Sequence, residues 1–122
     1  MAAPNIVNVS SIYGKTRAFQ LDNTLTTQLV GNASGSNKLL KINSIIVGNK
    51  HGTDNVDVTI SWYDGSTDFY LAKTVTVPAK STLIVLGKDS PLYLEENQQF
   101  RGGASANSAL DCIISYEELD DA

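Results

Sequence analysis

Apolar and polar residues alternate along most of this chain, the mark of strands buried on one face. The clearest stretch is Val56-Asp57-Val58-Thr59-Ile60-Ser61-Trp62-Tyr63, where Val56, Val58, Ile60 and Trp62 point one way and Tyr63 the other. Trp62 is therefore the expected core anchor. Lys73-Thr74-Val75-Thr76-Val77 repeats the pattern and is closed by Pro78, which has no N–H to give a ladder. Leu110-Asp111-Cys112-Ile113-Ile114-Ser115-Tyr116 puts Leu110, Cys112, Ile114 and Tyr116 on one face. Two runs, Leu39 to Val47 and Leu83 to Leu86, are apolar on both faces and read as central or covered strands. The apolar phase changes at Ser44, from Leu40 and Ile42 to Ile45 and Val47, which predicts a β-bulge there. Shorter strands are expected at 6–12, 16–21, 25–30, 68–72, 92–94 and 99–101.

Turn residues separate these runs. Asp64-Gly65-Ser66-Thr67-Asp68 is the strongest hairpin signal. Polar loops lie at 31–37, 51–55 and 102–107, and no segment has the spacing of an amphipathic helix. Eight or nine short strands so arranged predict an all-β fold, a two-sheet antiparallel β-sandwich of jelly-roll or immunoglobulin-like type. We expect an extended N-terminal arm over residues 1–9, one domain over 10–118 and an acidic tail over 119–122.

Composition narrows the chemistry. The 122 residues suffice for one domain, 42% are hydrophobic, and only 18% are charged, with Ser, Thr and Asn filling the gap. One Cys and one His exclude an internal disulfide, a Cys/His zinc site and any triad needing more than His51. The net charge of −4 argues against a general grip on nucleic acid. The N-terminus lacks the basic start and long apolar run of a secretory signal, and no segment suits a membrane span. The expected setting is a cytoplasm, or a larger assembly inside which the chain leaves it. Charge is also uneven: residues 95–122 carry one Arg against seven acids, among them Glu95, Glu96, Glu117, Glu118, Asp120 and Asp121. Such a cluster is either a solvated tail or an acidic surface for a basic partner.

Individual candidates carry little catalysis. His51 sits in a polar loop with no marked nucleophile, and Cys112 alternates with apolar neighbours as a buried thiol does. Asp54, Asp57, Asp64 and Asp68 read first as turn formers and leave a calcium site open. Adjacent Glu95 and Glu96 point apart and do not make a hydrolytic pair. Tyr63 and Tyr70 are candidates for stacking on a sugar. No cofactor, metal or enzymatic activity is expected. The arm residues Pro4, Ile6, Val7 and Val9 are too apolar for a solvated terminus and, with Glu117, Glu118, Asp120 and Asp121, form the expected interface set.

The N-terminal run Met1 to Val9, the Gly14-Lys15-Thr16 turn, the stretch Val77 to Val85, Leu92-Tyr93-Leu94-Glu95-Glu96-Asn97, Ala104-Ser105-Ala106 and the ending Ile114-Ser115-Tyr116-Glu117-Glu118 carry a resemblance. Together they resemble small virion structural proteins of tailed phages of marine bacteria, cyanophages especially. The similarity covers nearly the full chain but rests on strand and turn patterns. This chain has Glu96-Asn97-Gln98 where a Glu-Gly-Asp type of turn is expected. The resemblance implies a virion protein: a capsid decoration or cement subunit on the major capsid protein, forming a homo-oligomer such as a trimer. A neck, tail or fibre-attachment position is the alternative within that setting. A carbohydrate-binding module for host surface glycans is the alternative outside it.

Overall fold

The alternating runs form nine strands among the residues described by the computed structural model, which are 10–24, 27–87 and 89–120. They are β1 (Ser11–Gln20), β2 (Thr27–Asn32), β3 (Lys38–Asn49), β4 (Val56–Tyr63), β5 (Asp68–Val77), β6 (Thr82–Leu86), β7 (Leu92–Leu94), β8 (Gln98–Ala104) and β9 (Leu110–Asp120). One sheet has the order β1-β9-β3-β6, with β7 also paired to β3, and the other has β2-β8-β4-β5. Every pairing is antiparallel. Apart from the β4–β5 hairpin and short β7, successive strands cross between the sheets as two Greek keys do. The sandwich is thus a jelly roll, not the immunoglobulin arrangement.

Several expected strands merge. The end of the strand anticipated at 6–12 and the one at 16–21 belong to one ten-residue strand, β1, with residues 6–9 outside the described residues, and the two around Ala72 are one strand, β5. Bulges let β5 run on: its register against β4 shifts on either side of Ile60. The bulge expected at Ser44 is present, as the β3–β9 register shifts between Ile42 and Ser44. It keeps Ile42 and Ile45 both in the core despite their odd spacing.

The acidic tail begins later than expected. Leu119 is buried and paired with Leu39, and Asp120 is still in β9. An apolar partner on β3 keeps the strand going two residues past Glu118. Pro4, Ile6, Val7, Val9 and Asp121 lie outside the described residues.

Between the sheets, Phe100, Ile42, Ile45, Ile60, Leu94, Leu110 and Ile114 are fully buried. Trp62 does share the core face of β4, but it is not the anchor. It lies near the end of that strand, half-buried at the core's edge, opposite Phe100 and tilted 45° to Phe69. Phe100, on central β8, has neighbours on both sides and takes the anchoring position. Gly102 is next along that face. A Cβ there would lie 2.9 Å from both Ile60 Cδ1 and Leu29 Cδ1, so these side chains fill its space.

Two buried asparagines tie the sheets together. Asn32 of β2 donates through Nδ2 to the carbonyls of Lys38 (2.8 Å) and Leu94 (3.0 Å), both in the opposite sheet. Asn49 of β3 donates to the carbonyl of Val77 on β5 at 2.9 Å and to that of Asp54 at 3.0 Å.

Phe100→Ala should cost about 3–5 kcal/mol in urea unfolding, and Trp62→Ala should cost less; the reverse order would mean that the core is centred on β4's end. Asn49→Ala should cost about 1–3 kcal/mol by stranding the Val77 carbonyl, and a change within error would show that water replaces the amide.

Candidate functional site

Because inward positions are used for the core, any contact site must come from outer faces, edges or loops. The outer face of the β1-β9-β3-β6 sheet carries the most apolar surface. Register sets Ala18, Ile113, Ile46 and Ile84 side by side across all four strands. Ile84 is 65% exposed and Ile113 is 43% exposed. The next row is hydroxylic: Thr16, Ser115 and Ser44, with Thr16 Oγ1 and Ser115 Oγ 3.3 Å apart. Beyond it lie the Lys41–Glu117 ion pair at 3.9 Å and exposed Tyr93. On the other side of the isoleucines Lys50 pairs with Asp111 at 3.0 Å. This is an apolar band with a polar border, hollowed where Ile46 and Ile113 line a shallow pocket with Lys50 and Asp111.

The acidic end differs from expectation. Glu117 is paired with Lys41, and Glu118 holds Lys15 at 3.1 Å and Lys38 at 3.6 Å. The hydrogen bond and charge of Glu118 raise the Lys15 pKa above its ordinary value. These carboxylates therefore face lysines of their own chain across neighbouring strands, an arrangement that only strand pairing creates. Glu96 is likewise no surface acid. It is buried, and its carboxylate accepts from the backbone N–H of Gly35 (3.3 Å) and Asn37 (2.8 Å), shaping the 33–37 loop. Beside it Asn97 takes φ +69°, the left-handed conformation that a glycine would adopt without cost.

Tyr63 and Tyr70 do lie on one face, the outer face of the second sheet, where Ser61 pairs with Tyr70 and Tyr63 with Asp68. The Arg101 guanidinium sits 3.6 Å from the Tyr63 ring centroid and Lys73 Nζ is 5.0 Å from that of Tyr70. Each ring thus has a cation against one face, the surface that sugar stacking uses. Arg101 also approaches Asp68 at 3.4 Å, and Asp68 accepts from the Ser61 hydroxyl at 2.9 Å. The cluster is a self-bonded network, and Ser61, expected on an exposed face, is fully buried in it.

The remaining polar candidates serve loops. His51 Nδ1 accepts from the backbone N–H of Thr53 (3.2 Å) and Asp54 (3.1 Å), with its Nε2 3.6 Å from Asp54 Oδ2. Asp64 Oδ1 accepts from the N–H of Thr67 (2.8 Å) and Ser66 (2.9 Å), which lowers its pKa and shapes the β4–β5 turn. Among the described residues no three His, Cys, Asp or Glu side chains group as a metal site. Among the described residues no helix is long and apolar enough to cross a membrane. No protein-family model matches the chain, and no curated protein matches it.

Cys112 is buried, and burial alone pushes its pKa up to about 12. A thiol reagent at pH 8 should therefore leave the native protein unmodified and label it fully in denaturant; rapid labelling of the native state would place the sulfur at the surface.

Proposed function

We propose that this chain is a non-enzymatic structural protein of a phage virion, most simply a capsid decoration or cement subunit docked on the major capsid protein. The observation that carries the reading is the band of Ala18, Ile113, Ile46 and Ile84 across the outer sheet face, which also exposes Ile12 and Tyr93. Exposing such a band costs solubility unless a partner covers it. The band runs across four strands, a breadth that a protein partner's surface can cover. The resemblance to small virion proteins and the use of jelly rolls in viral capsids support the same setting, the second by analogy of fold.

A cement subunit occupies every equivalent capsid position, so its copy number follows the lattice. Quantitative mass spectrometry of purified particles should find the chain in amounts comparable with the major capsid protein. On the order of a dozen copies, the size of a ring, would instead place it at the neck or tail. Its absence from particles would overturn the virion reading. Ile84→Asp should lower its occupancy on particles at least about tenfold while leaving the fold intact, as the side chain lies outside the core.

A further inference from the structure

We propose that the free edge of β1 accepts an extended segment of another protein as an added strand, one presenting two carboxylates at alternate positions flanked by apolar side chains. Among the described residues β1 is paired on one side only, to β9, in a ten-residue register without a bulge. Its other edge therefore offers a long, straight row of backbone donors and acceptors. Proteins usually blunt such an edge with a bulge, a proline or a covering loop. Here the strand contains no proline, and all its residues but Ser11 and Phe19 are exposed.

Its side chains say what kind of strand fits. Tyr13, Lys15, Arg17 and Phe19 alternate along the face toward the second sheet, yet only Phe19 packs against the core. The row reads aromatic, cation, cation, aromatic. Lys15 shares Glu118 with Lys38, and Asp120 lies at the far end, opposite Ser11 and Lys38 in register. Among the described residues Arg17 pairs with no carboxylate; its guanidinium rests 5.2 Å from the Phe19 ring. A strand added beside β1 would set its own side chains directly opposite this row. Carboxylates facing Lys15 and Arg17, with apolar residues facing Tyr13 and Phe19, complement it position by position.

A second copy of this chain fits poorly. Two β1 strands paired antiparallel about residue 15, 16 or 17 place Lys15 against itself, Lys15 against Arg17, or Arg17 against itself, and like charges directly opposite are unfavourable. The other outer strands β2, β6 and β7 contain no acid, and β5 carries Asp68 at its end together with Lys73. The occupant is therefore an acidic segment of a different protein, captured as strand addition captures peptides elsewhere.

The test uses the full chain and the peptide Val-Thr-Glu-Thr-Glu-Thr-Val, titrated to millimolar concentration and followed by backbone amide NMR and hydrogen exchange. Saturable shifts and new protection should be confined to β1, and Arg17→Glu should weaken binding at least about tenfold without lowering the melting temperature. Two control peptides separate pairing from mere charge: lysines in place of the glutamates, and N-methylation at every second residue. Neither should bind. Ile84→Asp should leave peptide binding unchanged, so this edge and the isoleucine face fail or stand separately. No shifts at millimolar peptide, shifts centred elsewhere, equal binding by either control, or dimerisation through β1 would overturn the proposal.

Discussion

The jelly roll depends on a connection that strand pairing cannot supply. Ladder hydrogen bonds run within each sheet, and the apolar core between sheets attracts without direction. Asn32 and Asn49 supply the direction. Each buries a side-chain amide and uses it to hold carbonyls of the opposite sheet, Lys38 and Leu94 in one case and Val77 in the other. An unsatisfied carbonyl at these buried points would cost as much as the bond itself contributes, so sliding one sheet over the other is opposed twice. The same residues anchor loops: the Asn32 carbonyl accepts from Asn97 N–H, and Asn49 Oδ1 accepts from His51 N–H. Sheet alignment and loop shape are thereby one problem with one solution.

Given that alignment, the chemistry of the surface follows. On β1 the face that points toward the second sheet is exposed at Tyr13, Lys15 and Arg17. The bulge between Ile42 and Ser44 turns Ile46 outward, where it joins Ile113 and Ile84. Meanwhile several polar side chains are engaged in shape. The His51 ring organises a turn, Asp64 another, Glu96 a loop, and Arg101 a stack on Tyr63. A molecule whose polar side chains serve its own backbone while apolar surface faces outward is suited to being one part of an assembly.

Much of this was legible in the residues. Period-two alternation marks β4 and the start of β9, the phase change at Ser44 marks its bulge, and Asp64-Gly65 marks its hairpin, because each is a local constraint read within a few residues. Cys112 was recognisable as a buried thiol for the same reason. Where local signals end, expectation and structure part. Alternation cannot tell that Trp62 stands at the margin of a core centred on Phe100, since that depends on how many strands flank each one. Acidic composition cannot tell that Glu117 and Glu118 face Lys41, Lys15 and Lys38, or that Glu96 is buried under a loop some sixty residues earlier in the chain.

The sequence by itself determined the strands, the turns and the class of fold, for these rest on side-chain period and turn chemistry along the chain. Only the tertiary structure decided which surfaces remain for others to touch. The isoleucine band is assembled from positions 18, 46, 84 and 113, and no linear pattern relates them. Strand order makes them neighbours, the two asparagine ties hold the sheets in alignment, and among the described residues the ladder stops at the edge of β1.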